Sequence, residues 1–436
     1  MEALLLLIAL TAVFGVLVAP ALRRRRLRRE GEGGMIRAAS PAAAHGFVPV
    51  DQLDVRLPGP DQQLVDALEE TQSSGDWEPV ARLLALTGDE WELRWQRVQS
   101  IAGAAALELA EARRQQRERQ EEQEQRGGRK RRFGAHPADP GADPAVPADP
   151  AVPADTAGAA DQGPFTSGIS FRKAAAPEPG SGAPLPDARW LRAWRAERPG
   201  DPGGAQVYAQ FLVWQALADP SSEDRRIILE EARGVCRDAA GLVPADPTPY
   251  LTELHIARAL GYRKADFEAL WSEVSRRAPH HMGAHLTALP YWSAKWSGSK
   301  EEADAFARTA AAHAPEGTLL AALPLFAVLD HLPEVNVVRG LYQSAEIETA
   351  IEAAEFAVDQ VDDDHPVRPH VLHLLVCFLV RAERYAEAMD ALQVVDGYVG
   401  AQPWAGEEDP AAAYAAYRAL AVAGWESSGG SAARSD

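Results

Sequence analysis

The chain has few cysteines and lacks the common catalytic motifs. Among its 436 residues only two are cysteines, Cys236 and Cys377, which lie in separate apolar stretches without metal-ligand spacing. We therefore predict two buried free thiols in a reducing compartment. The sequence also lacks a GxSxG motif, a phosphate-binding loop, a dinucleotide fingerprint and an HExxH motif. These absences argue against common enzyme classes, so no catalytic activity and no cofactor are expected.

Positive charge is scarce as well, and it is carried almost entirely by arginine. The chain has five lysines and a formal net charge of −19, which argues against a nucleic-acid partner for the body of the protein. Abundant Arg, Ala, Gly and Pro indicate a GC-rich genome. No stretch alternates like a β-strand for more than a few residues, so the predicted fold class is all-α.

One long apolar run is present at the N-terminus. The 20 residues from Ala3 to Leu22 carry no charge, which is about the length that a helix needs to span a bilayer. Six arginines follow between Arg23 and Arg29, and only Met1 and Glu2 precede the run. The positive-inside rule then predicts a single-pass cell-membrane protein with its N-terminus outside and its bulk in the cytoplasm. The weaker alternative is a cleaved signal peptide.

Shifts in composition divide the rest of the chain. We predict an anchor at 1–22, a basic juxtamembrane segment at 23–46 and an N-terminal helical segment at 47–125, in which Asp61 starts a helix that Gly75 ends. Residues 126–186, rich in Pro, Ala and Asp, cannot bury enough apolar surface to offset their ordering entropy and are expected to form a disordered linker. A helical domain at 187–426 and a disordered tail at 427–436 complete the chain.

A helix-turn-helix unit stands out within the helical domain. The stretch HLTALPYWSAKWSGSKEEADAFARTA, His285 to Ala310, predicts one helix ended by Gly298 and a second that Ser299 and Glu302 open as a capping box. Ala288-Leu289-Pro290 recurs 34 residues later as Ala322-Leu323-Pro324. Pro290 and Pro324 are predicted to kink the first helix of each unit. Two short helices cannot bury their apolar faces alone, so neighbouring units are expected to stack on them.

This period resembles that of the tetratricopeptide repeat. The residues that fit its outline are Tyr250, Gly261, Phe267, Trp271 and Pro279 in one copy, and Leu372, Leu375, Leu379, Tyr385, Ala388 and Leu392 in another. The resemblance implies a tetratricopeptide-like α-solenoid. The stretches GDWEPVARLL, WELRW, WLRAWRAERPGDP and AKWSGS are also similar to an uncharacterised family of actinobacterial membrane-anchored helical-repeat proteins. That resemblance implies that 47–125 belongs to the same array and that the linker is an insertion.

These observations favour a membrane-tethered scaffold whose cytoplasmic solenoid binds a partner protein or peptide. Trp292 and Trp296 fall on the apolar stripe and are interpreted as core, whereas Tyr291 and Lys295 lie off it and are the predicted partner-binding residues. The alternative function is a metal-dependent hydrolase that uses the histidine pairs His281 with His285 or His370 with His373. No carboxylate or cysteine completes the first set nearby in the sequence, and the acids before the second set, Asp362, Asp363 and Asp364, are interpreted as a solvated loop. No metal site is therefore predicted.

Overall fold

Regular secondary structure in the computed structural model is helical throughout the described residues, 45–133, 187–332 and 340–430. The helices are α1 (Gln62–Ser74), α2 (Glu78–Thr87), α3 (Trp91–Phe133), α4 (Arg189–Glu197), α5 (Pro202–Ala218), α6 (Arg225–Leu242), α7 (Thr248–Leu260), α8 (Lys264–Arg277), α9 (Met282–Ala288), α10 (Lys300–Ala312), α11 (Leu323–His331), α12 (Ala345–Asp359), α13 (Arg368–Arg381), α14 (Tyr385–Val395) and α15 (Pro410–Ser427). Within these ranges there is no β-strand, which confirms the all-α class.

Capping residues place the ends of several helices where the sequence predicts them. The Asp61 carboxylate accepts a hydrogen bond from Leu64 N at 3.1 Å, and Gly75 ends α1 in the left-handed region at φ +73°. Ser299 Oγ accepts from Glu302 N at 3.2 Å and opens α10. Each cap satisfies a backbone group that has no partner within its own helix.

The N-terminal helices and the main body share one hydrophobic core. Val80 and Ile101, from α2 and α3, belong to the same buried cluster as Trp194 and Phe211 from α4 and α5. The Trp77 and Trp194 rings stack with their centroids 5.7 Å apart. The described residues from Phe47 onwards belong to one compact unit. The helices α1–α3 therefore pack with later helices of the chain rather than forming a separate unit.

The first half of α3 lies at the centre of this arrangement because it contacts α5, α7 and α9 as well as α1 and α2. Its Arg94 is buried, and Arg94 Nε donates to Gln206 Oε1 at 3.1 Å and to Asp246 Oδ2 at 3.2 Å. Two residues earlier, the Glu92 carboxylate accepts hydrogen bonds from the first backbone N–H groups of α9. Polar contacts thus link α3 to three later parts of the chain.

The segment before α1 joins the opposite end of the chain. Asp54 N donates to Gly397 O at 2.7 Å, and Val399 N donates to Asp54 O at 2.8 Å. Gly400 N donates to Leu57 O, and a Cβ at Gly400 would lie 2.6 Å from the Leu57 carbonyl carbon, so the close approach requires glycine. Residues 54–57 therefore pair with the loop that follows α14.

The helix predicted to run through Pro290 ends earlier. α9 stops at Ala288, and a 3-10 turn covers Leu289–Trp292 with Pro290 near its start. At Pro324 the order is reversed: a 3-10 turn over Leu319–Ala322 comes first, and Pro324 lies in the first turn of α11, where a missing N–H costs no hydrogen bond. The predicted kink is thus a junction between two helical segments at both positions. The predicted role of Gly298 as a left-handed helix end is also wrong, because α9 ends ten residues earlier and Gly298 does not have a positive φ. Gly298 instead approaches the Trp292 backbone too closely for a side chain.

Three predicted segments lie wholly or partly outside the described residues. These are the anchor at 1–22 with its basic flank, most of the linker and the end of the C-terminal tail. α3 continues to Phe133, past the linker boundary predicted at 126. In the part of the chain that the structure describes, no helix is both long and apolar enough to cross a membrane.

Candidate binding cleft beside the long helix

The predicted recognition residue Tyr291 lies in the core. Its side chain is 1% exposed and stacks on Phe267 with ring centroids 3.6 Å apart. The Tyr291 hydroxyl donates to Tyr262 O at 2.7 Å. Its predicted exposed position is therefore wrong, because the switch to a 3-10 turn at Leu289 rotates the following side chains relative to a continuous helix.

Lys295 lies on the surface, as predicted. Its ammonium forms an ion pair with Asp330 at 3.1 Å, and its side chain is 62% exposed. Trp292 packs edge-on against Phe267, whereas Trp296 is half-buried beneath the guanidinium of Arg258. Partner recognition by Lys295 stays a prediction.

His281 and His285 have different neighbours. His281 Nδ1 accepts a hydrogen bond from Ala284 N at 3.0 Å and lies 3.0 Å from a Glu92 oxygen. His285 Nδ1 faces His281 O at 2.9 Å, and burial lowers the His285 pKa to about 4. Burial opposes ionisation of Glu92, but the His281 ring and Gly283 N outweigh it and lower the Glu92 pKa. The group therefore caps the start of α9.

His370 and His373 are both buried in α13. His373 Nδ1 accepts from Trp404 Nε1 at 3.1 Å, and its Nε2 faces Pro58 O at 3.0 Å. Burial lowers the pKa of His370 to about 3 and that of His373 to about 4, so both rings are neutral at physiological pH. Within the described ranges no three His, Cys, Asp or Glu residues are grouped so that they could hold a metal ion.

The feature with the geometry of a binding site is a cleft of about 530 Å³ between the segment before α1, helix α1 and helix α3. We call it the α1–α3 cleft. α1 contributes Val65, Leu68, Glu69 and Gln72, at helix positions i, i+3, i+4 and i+7. α3 contributes Ser100, Ala104, Leu107, Glu108 and Glu111, which also follow one face. Leu64, Gln99, Trp214 and residues 51–57 complete the lining.

The floor of the α1–α3 cleft is apolar. Leu53 and Leu57 are buried beneath it, and Val65, Leu68 and Leu107 are half-buried in its walls. Trp214 is half-buried at one end, where its Nε1 donates to Gln99 O at 3.4 Å. A concave apolar surface with a few placed polar groups is typical of ligand and peptide sites.

A single buried carboxylate, Glu108, lies in this cleft. Glu108 Oε1 accepts from Gln72 Nε2 at 3.0 Å, and Oε2 accepts from Trp190 Nε1 at 3.1 Å and from Ala188 N at 3.2 Å. Burial raises the Glu108 pKa above its ordinary value, although these three donors oppose the shift. Glu108 thereby ties α1 and α3 to the start of α4.

The rim is acidic. Five of the residues that line the cleft are carboxylates and one is an arginine. Arg56 forms an ion pair with Asp54 at 2.7 Å, so these two charges offset each other. Glu69 and Glu111 are exposed on facing helices, and Asp51 is exposed at the edge. The cleft therefore combines an apolar floor with net negative charge.

The sequence analysis did not find this cleft, although part of its signal was visible. Leu64, Val65 and Leu68 follow a helical stripe in the sequence, but such a stripe predicts only that something covers it. Leu64 is fully buried by the core, whereas Val65 and Leu68 keep a solvent-facing edge. Which part of the stripe stays open depends on where α3 and residues 51–57 pack.

Comparisons with protein-family models, with curated proteins and with solved structures found no match to this chain. The geometry of the cleft is thus the basis for a functional proposal.

Proposed function

We propose that the chain is a membrane-tethered, tetratricopeptide-like helical-repeat scaffold that binds a partner protein or peptide in the α1–α3 cleft. The packing of helices on their neighbours in the chain supports a repeat architecture. Residues 3–22 supply the anchor, and the arginines at 23–29 place the body in the cytoplasm. In such a repeat architecture, the segment before the first helix contacts the loop after α14, because residues 54–57 form hydrogen bonds with that loop.

The observation that carries this proposal is the apolar floor of the cleft between two helices. A groove between paired helices is the surface into which an amphipathic segment lays its apolar face. Leu57 and Leu64 of the cleft belong to the shared hydrophobic core, and Val65 and Leu68 pack against it, so the groove is built on packed elements. No comparable geometry favours the hydrolase alternative, because among the described residues no three His, Cys, Asp or Glu side chains are grouped so that they could hold a metal ion.

A site-specific photo-crosslinker tests the proposal in intact cells. We place a photoreactive amino acid at Leu68 in the cleft and, as the matched control, at Leu242, which is 44% exposed on α6. We expect a discrete crosslinked product from position 68 that is absent at position 242. Circular dichroism checks that both variants are folded. Equal labelling at the two positions, or no product at position 68, would overturn the assignment of the cleft.

A further inference from the structure

We propose that the occupant of the α1–α3 cleft is a cationic amphipathic helix of a partner protein. This deepens the proposed function, on which it rests, by naming the chemistry of the partner. The argument uses three properties of the cleft, namely its length, its apolar floor and the sign of its rim charge.

The length of the cleft suits a short helix. Its wall on α3 runs from Ser100 to Glu111, and at 1.5 Å per residue this face is about 16 Å long. The wall on α1 runs from Val65 to Gln72, or about 10 Å on the same basis. An amphipathic helix of about three turns spans such a groove and meets it with side chains at i, i+3, i+4 and i+7.

The apolar floor selects the face that enters. Val65, Leu68 and Leu107 are half-buried and offer hydrocarbon surface, with Trp214 at one end. Burying such surface is favourable by about 25 cal/mol per Å² of apolar area removed from water. A helix with leucine-like side chains on one face therefore gains from binding here, whereas a uniformly polar segment does not.

The acidic rim of the cleft favours positive charge on the flanks of the bound helix. Glu69 on α1 and Glu111 on α3 are exposed on opposite walls, and Asp51 lies at the edge. Glu108 is already satisfied by three donors, so the pairing falls to the exposed carboxylates. Arginine or lysine at the flanks of the bound helix complements this rim, and phosphate or carboxylate ligands are repelled by it.

Fluorescence anisotropy with the full chain in detergent micelles tests this. The probe is a labelled synthetic three-turn helix with leucines on one face and arginines on its flanks, and its counterpart carries glutamates at the arginine positions. We expect binding of the arginine probe only, weakening as salt is raised, since exposed charges are screened. Glu69→Lys with Glu111→Lys should weaken binding about tenfold.

The control carries the same change of charge elsewhere. Glu348→Lys with Glu352→Lys alters two exposed glutamates of α12 and should leave the affinity unchanged. An equal loss in both double variants would show non-specific attraction to a chain of net charge −19, and would overturn the proposal. Equal binding of the glutamate probe would also overturn it.

Two further outcomes separate this inference from the proposed function. If crosslinking from position 68 succeeds while the charge variants bind the arginine probe as the native chain does, the cleft is a partner site but not a cationic-helix site. If the native chain does not bind the probe and a variant with the arginines of 23–29 replaced by serine does, the occupant is the chain's own basic segment. Either result contradicts the proposal of a cationic partner helix.

Discussion

The substitution Arg94→Met probes whether α1–α3 and the main body unfold together. It removes a buried guanidinium and keeps most of the side-chain volume. Arg94 donates to Gln206, to Asp246 and, at 2.9 Å, to Leu84 O. The Asp246 side chain is 1% exposed, so its charge would stay buried without an ionic partner. Breaking a buried pair in this way costs about 3–5 kcal/mol.

We expect Arg94→Met to destabilise the fold by an amount at the lower end of this range of about 3–5 kcal/mol. Asp246 keeps two hydrogen bonds, from Gln206 Nε2 at 2.6 Å and from Thr248 N at 2.8 Å. We therefore expect Arg94→Met to lower the free energy of unfolding by about 3 kcal/mol. Adding Asp246→Asn removes the buried charge and keeps an acceptor, so the double variant should be more stable than Arg94→Met alone.

Urea unfolding followed by far-ultraviolet circular dichroism is the assay. The matched control is Arg263→Met, because Arg263 pairs with Asp266 on the surface with 85% of its side chain exposed, and exposed pairs contribute about 0–1 kcal/mol. A single transition shifted by Arg94→Met supports one cooperative array. Two separate transitions, with only one of them shifted, would refute the shared core, and a shift no larger than that of the control would refute the role of Arg94.

Four further predictions concern the shared core, the Glu108 carboxylate, the positions of Tyr291 and Lys295, and the membrane topology. A chain cut at a protease site inserted between residues 150 and 151 should keep its two parts associated on size-exclusion chromatography, since they share a core; separation would contradict this. Glu108→Gln should stabilise the fold at neutral pH but not in acid, as measured by urea unfolding at both pH values. The raised Glu108 pKa means that the native chain loses stability as pH rises from the ordinary glutamate range through the folded-state value, whereas glutamine does not titrate. Tyr291→Phe should lower the free energy of unfolding by about 1 kcal/mol through the lost hydrogen bond, whereas Lys295→Ala should change it by no more than about 0.5 kcal/mol. Equal melting temperatures for the two variants would refute the assignment of Tyr291 to the core and Lys295 to the surface. A cysteine placed in 134–186 should resist a membrane-impermeant thiol reagent in intact cells, against low background because both native cysteines are buried; labelling before lysis would refute the cytoplasmic assignment.

Local signals in the sequence were sufficient for the helices and several of their ends. Asp61 and Ser299 cap the helices that they were predicted to open, and Gly75 ends α1 as predicted. Such signals act through groups two to four residues apart, so they need no knowledge of the rest of the chain. The all-α class follows from the same short-range patterns.

The faces of those helices depended on tertiary structure. Tyr291 was expected on the surface because a continuous helix was drawn through Pro290, whereas the chain changes to a 3-10 turn there and buries the ring against Phe267. Periodicity identifies an apolar stripe but does not specify which neighbour covers it. The open edge at Val65 and Leu68 is therefore not readable from the stripe.

Short-range patterns thus specified several helix ends, the residues that cap them and the need of the apolar faces for neighbours. Long-range packing set the contact of the Glu92 carboxylate with Gly283 N, 191 positions away, and the pairing of Asp54 with Gly397 and Val399 near the other end of the chain. Helix capping is satisfied within one turn, whereas the choice among many apolar faces of similar size depends on the packing of all the helices, which leaves the α1–α3 cleft open among the described residues.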